Sequence, residues 1–254
     1  MIALITPTGA RPFQFNMCSR FMKRQNYTGK VAWIIVDDAI PRSTDKVTKD
    51  FRENWTIHKV YPMPAWYHGW NTQARNIAEG VRLLRMTYKP EEISAIFIIE
   101  DDDYYKPIYL TRMVERIKGF WAAGERNTIY YNVLYRRYIV NGNTGHSSLF
   151  QTALTWEGID ALIASFKDKF IDAKFWTIVK NKHLFNENNL AVGMKGMPGR
   201  GGIGAGHSRA MNMHLDMELK HLTKLIGNED ALLYAGYYGN SSIVKHDILT
   251  HKRI

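Results

Sequence analysis

The middle of the chain carries five apolar residues followed directly by four carboxylates, Ala95-Ile96-Phe97-Ile98-Ile99 and then Glu100-Asp101-Asp102-Asp103. An uninterrupted apolar run of this kind is typical of a strand buried on both faces, as in a parallel sheet covered by helices. Open sheets of that class bind their ligands at the carboxyl ends of the strands. The segment therefore predicts an α/β fold whose functional edge includes residues 100–103.

Four adjacent carboxylates repel one another strongly unless a cation lies among them. Hard divalent cations such as Mg²⁺ and Mn²⁺ take oxygen ligands and commonly share them with substrate phosphates. The alternative is an acidic turn that only caps the next helix, but a single Asp would be enough for a cap. Lys106 follows closely and would neutralise part of the charge. We favour a metal site.

The order of apolar stretches around this strand predicts the topology. Residues 2–6, 31–36 and part of 51–61 read as strands, while helices are predicted from 13 to about 25, from the segment 69–76 onward, and over 107–121. Such alternation indicates a parallel sheet with right-handed crossovers. Beyond residue 127 we predict strands at 128–133, 136–140 and 151–155, a turn at 141–143, helices at 157–166, 172–181 and 217–226, and an irregular Gly-rich loop at 193–206.

Composition restricts the class of protein. The 254 residues suit one domain, and we find neither a repeat nor a linker. A single cysteine, Cys18, excludes an internal disulfide, fits a reducing compartment and lies in an apolar context that predicts packing. No signal peptide or membrane-spanning run is recognised, so we expect a soluble, cytoplasmic protein. The net charge of +10 favours polyanionic partners, although solubility alone would also explain it.

Four motifs in order resemble those of a family-2-type glycosyltransferase with the GT-A fold. They span residues 5–12, 33–38, 69–76 and 98–103, the last with Pro107 downstream, and the similarity covers about residues 2–180. The resemblance implies a Rossmann-like half of about residues 1–125 that binds a nucleotide sugar through a mostly parallel sheet. It also implies an acceptor-binding half of about residues 126–254 within a single domain.

The resemblance also implies roles for the acidic cluster. The family's metal motif is conventionally Asp-x-Asp, and alignment on Pro107 places Glu100-Asp101-Asp102 there, with Glu in place of the first Asp. The implied ion is Mn²⁺ or Mg²⁺, with Asp102 as the leading ligand. Asp103 and the downstream His207 are further ligand candidates, although a lone His is more often a surface residue. Glu100 and Asp101 are then expected to contact the donor.

The donor implied by the resemblance is a nucleoside-diphosphate sugar, with a UDP-sugar as first choice. Its expected contacts lie in the first loop, after the second strand, at the start of the 69–76 helix and in the Gly-rich loop. They are Thr6, Thr8, Arg11, Asp37, Asp38, Asn71, Arg75, Lys195 and Arg200. Backbone amides of a Gly-rich loop can wrap phosphates, so residues 195–207 suit a lid over the donor. A surface position is the alternative for Arg75.

A weaker match concerns the catalytic base. Residues 170–176 resemble the family's Glu-Asp motif before an aromatic helix, with Ile171 in place of the Glu and Asp172 as the implied base. Asp is also a favoured N-cap residue, so Asp172 either takes the proton, caps the helix, or does both. In-line attack assisted by such a base inverts the anomeric centre.

The acceptor is predicted from the distribution of basic and aromatic residues. Basic residues interleaved with Tyr130, Tyr131, Tyr135 and Tyr138 suit nucleic acid, where rings stack on bases and cations meet phosphates. Phage enzymes that glycosylate hydroxymethylated pyrimidines in DNA fit this combination, which would place the protein in the host cytoplasm. The alternatives are a surface glycan or lipid-linked sugar, a nucleotidyltransferase, or a non-catalytic nucleic-acid-binding module. The sequence makes no prediction of the oligomeric state.

Overall fold

The computed structural model of the protein describes residues 1–42, 44, 51–187, 189–197, 199–200 and 212–238, with the side chains of 237 and 238 excepted. The strands of this part are, in chain order, β1 (Ile2–Thr8), β2 (Val31–Asp37), β3 (Trp55–Val60), β4 (Ala95–Ile98), β5 (Tyr104–Tyr105), β6 (Ala122–Glu125), β7 (Asn127–Asn132), β8 (Arg137–Gly142), β9 (Thr152–Leu154), β10 (Lys182–Phe185), β11 (Ala191–Lys195) and β12 (His214–Leu215). The helices are α1 (Pro12–Lys23), α2 (Gln73–Thr87), α3 (Tyr109–Arg116), α4 (Ile159–Ala164), α5 (Ile171–Ile178), α6 (Lys220–Ile226) and α7 (Asn228–Tyr238).

The larger sheet has the strand order β10-β6-β9-β4-β1-β2-β3. Its strands are parallel except β9, which runs antiparallel to both β4 and β6. Alternate side chains of β1 enter two different clusters: Leu4 packs with Phe15 of α1, and Ile5 packs with Ile77 of α2. Both faces are therefore covered by apolar side chains, and the predicted α/β class with a mostly parallel sheet is confirmed.

A second sheet has the order β12-β8-β7-β11-β5. The short strand β5 follows the four carboxylates directly, and β11 lies between β5 and β7. This pairing brings Lys195, at the end of β11, beside residue 103 at the edge of the larger sheet. The second sheet thus packs against the edge of the larger sheet that carries residues 100–103. None of the helices described is long and apolar enough to cross a membrane.

The glycine-rich segment begins differently from our prediction. Residues 193–195 are not irregular, because they pair with β7 within β11. Gly193 is required there by close packing: a Cβ at this position would lie 2.5 Å from Cδ1 of Tyr130. Residues 198 and 201–206 lie outside the described residues, as does the predicted contribution of His207.

Two other local predictions are wrong for tertiary reasons. Asn141 and Gly142 do not form a turn, since both pair with β7 as the end of β8, and the hairpin turns instead at 133–136, where Arg136 has a φ of 48°. Helix α3 ends well before 121. Gly119 adopts a φ of 82°, and Trp121, just before β6, donates its backbone N–H to the Asn181 carbonyl at 2.8 Å.

Candidate active site

A cavity of about 670 Å³ opens at the carboxyl ends of β1 and β4. The start of α2 forms one side, and the second sheet and the start of α5 form the other. Its wall includes Pro7, Thr8, Ala10, Arg11, Trp66, His68, Gly69, Trp70, Asn71, Gln73, Asn76, Glu100, Asp101, Asp102, Tyr130, Ser148, Leu149, Phe150, Lys169, Phe170, Ile171, Asp172, Lys195, Gly199 and Arg200. The volume falls in the usual range for a small-molecule site, about 300–1,000 Å³.

Three of the four adjacent carboxylates converge. Glu100, Asp102 and Asp103 each offer one oxygen, and these three oxygens lie within 4.8 Å of one another. Asp103 accepts through Oδ1 from the Met194 amide at 2.9 Å and from Lys195 at 3.1 Å. Its buried Oδ2 has no hydrogen-bond partner among the described residues. The donor set, all carboxylate oxygen, and this spare buried oxygen fit a hard divalent cation.

Burial makes ionisation of this cluster costly. It raises the pKa of Glu100 to about 7, with Lys195 opposing the rise and Asp102 adding to it. Burial likewise raises the pKa of Asp103. The Lys195 ammonium contacts this group of three carboxylates through Asp103, at 3.1 Å. A cation among these oxygens would favour their ionised forms, as the sequence predicted.

Asp101 faces the first loop instead. It accepts from the Thr8 hydroxyl at 2.6 Å, and Arg11 bridges it to Asp102, with Nη1 lying 3.1 Å from Asp101 and Nη2 lying 2.5 Å from Asp102. Burial raises the pKa of Asp101 to about 6, although Arg11 opposes the rise. Thr8 and Arg11, both predicted donor contacts, thus line the cavity next to the carboxylates.

The second predicted donor region centres on Asp38, whose carboxylate is fully enclosed. It accepts from Arg75 at 3.0 Å, Arg200 at 2.8 Å and Asn76 at 2.8 Å, and also from the Thr72 hydroxyl. Arg200 also lies over the Trp66 ring, 5.1 Å from its centre. The structure therefore brings residues from β2, α2 and the C-terminal part to one end of the cavity. Asn71 lines the same wall.

Four predicted donor contacts are not among the residues that line the cavity: Asp38 and Arg75, which pair with each other, and also Thr6 and Asp37. Thr6 accepts from the Trp33 indole at 2.9 Å, so its hydroxyl is used inside the core. Asp37 is also buried and accepts from the Ala39 amide at 3.1 Å and the Thr44 hydroxyl at 2.9 Å. Both side chains support the strand ends that carry Thr8 and Asp38.

Asp172 lies on the cavity wall, as its predicted role requires. It is the second residue of α5, because Phe170 occupies the N-cap position, and its Oδ1 accepts from the Ala173 amide at 2.8 Å. Its charge helps to raise the pKa of Glu100, after burial and Asp102. Asp172 is therefore close enough to interact with the charge of Glu100, and it also accepts a hydrogen bond within its own helix.

Sequence reasoning named Tyr130 but did not predict the contacts that Tyr130 and Gln73 make at this wall, nor the position of Trp66 there. Gln73 donates to Glu100 at 2.9 Å, and the Tyr130 hydroxyl lies 2.8 Å from that of Ser148. Three of the five residues 66–70 are aromatic, and this clustering could have indicated that Trp66 and Trp70 belong to the site. Tyr131, by contrast, is fully buried and donates to Asp216 at 3.0 Å, so the predicted tyrosine track does not include it.

Comparison with known proteins identifies the fold. No protein-family model matches the sequence, and no curated protein matches it. Solved structures of S. aureus TarS are similar: TarS 1–349 with UDP has a TM-score of 0.55 at 8% identity, over 76% of this chain and 60% of that one. TarS 1–349 with UDP-GlcNAc has a TM-score of 0.52 at 11% identity, over 97% of this chain and 69% of that one. The chain thus shares the GT-A fold of TarS, a family-2 glycosyltransferase.

Proposed function

We propose that this protein is a metal-dependent, inverting glycosyltransferase that takes its sugar from a nucleoside-diphosphate donor. The observation that carries the proposal is the convergence of Glu100, Asp102 and the buried Asp103 beside a cavity that is lined by Glu100, Asp102 and Asp172. A second support is the fold shared with TarS, whose solved complexes contain UDP and UDP-GlcNAc. A UDP-sugar is accordingly the first donor to test.

The donor would extend along the cavity from Asp38 toward the carboxylates. Asn76 and Arg200, which both contact Asp38, line that end of the cavity and supply donors suited to the nucleoside, while Arg11 is available to the diphosphate. Glu100, Asp102 and Asp103 would hold the divalent ion. The ion would neutralise charge that develops on the departing diphosphate.

Asp172 supplies the base. As the acceptor hydroxyl oxygen bonds to the anomeric carbon, its proton passes to the Asp172 carboxylate. The bond from that carbon to the diphosphate oxygen breaks, and its electron pair leaves with the nucleoside diphosphate. Attack on the face opposite the leaving group inverts the configuration. Proximity on one cavity wall supports this assignment, since a base needs to reach the hydroxyl directly or through one water.

For the acceptor, we propose a hydroxymethylated pyrimidine in DNA. The net charge of +10 supports a polyanionic acceptor, although some arginines balance acids within the fold. Arg20 and Arg24 pair with Asp230, and Arg112 pairs with Glu187. The exposed lysines of residues 167–180 remain for an acceptor.

The deciding experiment is an assay of several nucleotide sugars with Mn²⁺ against DNA that contains or lacks 5-hydroxymethylpyrimidines. Mass spectrometry of digested nucleosides is the readout, with EDTA-treated protein as the metal control. We expect a sugar-sized mass gain on the modified base that EDTA abolishes. Donor hydrolysis without DNA transfer would redirect the acceptor to glycans or lipid-linked sugars. The absence of both hydrolysis and transfer would refute the glycosyltransferase assignment.

A further inference from the structure

Lys169 and Phe170 lie on the cavity wall but take no part in the donor contacts described above. Phe170 is 51% exposed, so part of its phenyl ring is open to a ligand at the rim of the cavity. The Lys169 ammonium lies 5.5 Å from the centre of that ring. An exposed π face and a cation therefore stand side by side, only two residues before Asp172.

The charge around this pair is mostly positive. Residues 167–182 contain five lysines, Lys167, Lys169, Lys174, Lys180 and Lys182, against the two aspartates Asp168 and Asp172. Lys182 donates to the Trp176 carbonyl at 2.5 Å and is committed to the fold. All five lysines are exposed. This edge is thus suited to a partner with regularly spaced negative charge and flat apolar rings.

The cavity also limits what can enter. At about 670 Å³ it has room for ligands of small-molecule size, not for a segment of duplex. A base inside a duplex must therefore leave the stack before its substituent reaches Asp172. A ring outside the stack needs a new face to pack against, and Phe170 presents one at the rim.

We propose that Lys169 and Phe170 form the acceptor platform of this cavity. An unstacked nucleobase packs on the Phe170 ring, the adjoining phosphate meets Lys169, and the base is thereby held beside Asp172. This inference rests on the proposed function and adds to it the residues that select a nucleic acid. A saccharide could also pack on a phenyl ring, but it would make no use of the surrounding lysines.

Binding of DNA tests the platform without requiring sugar transfer. The probe is a fluorescently labelled single-stranded oligonucleotide with one 5-hydroxymethylcytosine, titrated by anisotropy at several salt concentrations. Phe170→Leu keeps apolar volume but removes the π face, whereas Phe170→Tyr keeps the ring. We expect Phe170→Leu to weaken binding roughly 5- to 150-fold and Phe170→Tyr to restore it. Lys169→Ala should weaken binding and flatten its salt dependence, while the exposed Lys118→Ala serves as its matched control.

Steady-state kinetics provide the second readout. In the transfer assay, Phe170→Leu should raise the KM for DNA more than it lowers kcat, because stacking positions the acceptor. Equal oligonucleotide affinity in wild type and Phe170→Leu would overturn the platform even if sugar transfer to DNA were found. Binding of a neutral oligosaccharide that depends on Phe170, without oligonucleotide binding, would assign the platform to glycans. The proposed glycosyltransferase function is tested separately. It would be refuted if the wild-type protein neither hydrolyses nor transfers any donor sugar.

Discussion

Each carboxylate at the end of β4 has a different electrostatic environment. Asp101 is held by the Thr8 hydroxyl and Arg11, whereas Asp103 is held by Lys195 and the Met194 amide. Asp102 lies between them, since it contacts Arg11 and also contributes an oxygen to the group of three. A cation bound by this group would have three carboxylate ligands. Glu100 is held by Gln73, Asp103 is held by Lys195, and Asp102 connects the group to Arg11 of the first loop.

Asp102→Asn should therefore remove metal-supported turnover while preserving most nucleotide affinity. The amide has the same size but no charge, so the group of three loses one anionic ligand. Because a metal ion contributes several kcal/mol to stabilising charge in the transition state, we expect donor turnover to fall at least roughly a hundredfold. Titration calorimetry with UDP and a Mn²⁺-dependent hydrolysis assay measure the two effects. The exposed Asp168→Asn is the control, and unchanged Mn²⁺ dependence in Asp102→Asn would contradict the metal assignment.

Asp172→Asn separates a catalytic role from a helix-stabilising one. The Asn side-chain oxygen can still accept from the Ala173 amide, so the free energy of unfolding should change by less than about 0.5 kcal/mol. The amide cannot take up a proton, so transfer should slow by about 10²- to 10⁴-fold. Thermal unfolding and the transfer assay report the two quantities. If stability falls and transfer persists, Asp172 serves only its helix.

At the scale of elements, α2 approaches the larger sheet closely through Gly80. A Cβ at this position would lie 2.5 Å from Cγ2 of Ile5 and 3.3 Å from Cγ2 of Val36. Helix α2 carries Arg75 and Asn76 near its start, and Asn71 lies just before it, so the distance of α2 from β1 and β2 positions this side of the cavity. Gly80 therefore allows the packing that brings these side chains to Asp38.

Gly80→Ala should destabilise the protein although alanine is the better helix former. The propensity gain is about 1 kcal/mol, but forcing a methyl group into a packed interface costs about 1–3 kcal/mol. We expect the free energy of unfolding to fall by about 1 kcal/mol in denaturant titrations. Gly236→Ala in α7 is the matched control. A Cβ there meets no atom within 4 Å, so this change should stabilise the protein by up to about 1 kcal/mol. Equal effects of both variants would contradict the packing argument.

The elements that local pattern could predict are those of the parallel sheet. β4 is a continuous apolar run, β1 and β2 each begin with one, and α2 has one apolar face, so each is encoded within a few neighbouring residues. The order of these strands also placed Thr8, Asp38 and Asp102 at one edge. Strands such as β5 and β10 are short, and they exist because of partners far away in the sequence.

The same distinction explains the site residues. Glu100 to Asp103 were recognisable because charge repulsion is a local property. The contact of Asp101 with the Thr8 hydroxyl and the approach of Arg200 to Asp38 each join residues far apart in the chain. The exposure of Phe170 depends on how α5 meets the cavity. Tertiary contacts of this kind leave no periodic pattern to read.

On the scale of the whole molecule, the described C-terminal helix packs against the first helix. Arg20 and Arg24 of α1 both contact Asp230 of α7, with Arg20 Nε 2.8 Å from Asp230 Oδ1, and both also reach Glu229. Tyr234 packs edge-on against Phe13, with ring centres 5.8 Å apart. Since α1 begins directly after Arg11, α7 supports the helix that presents Arg11 to the carboxylates.

Asp230 and Glu229 should contribute unequally to this contact despite their shared partners. The Asp230 side chain is 2% exposed and that of Glu229 is 75% exposed, so water screens the second pair of contacts much more. Asp230→Ala leaves two arginines without their buried carboxylate and should lower the free energy of unfolding by about 2–3 kcal/mol. Glu229→Ala should leave it almost unchanged, because water screens the exposed carboxylate. Denaturant titration of both variants measures this, and hydrogen exchange across α1 should rise only in Asp230→Ala. Equal losses would mean that α7 is held by charge at the surface and not by the buried pair.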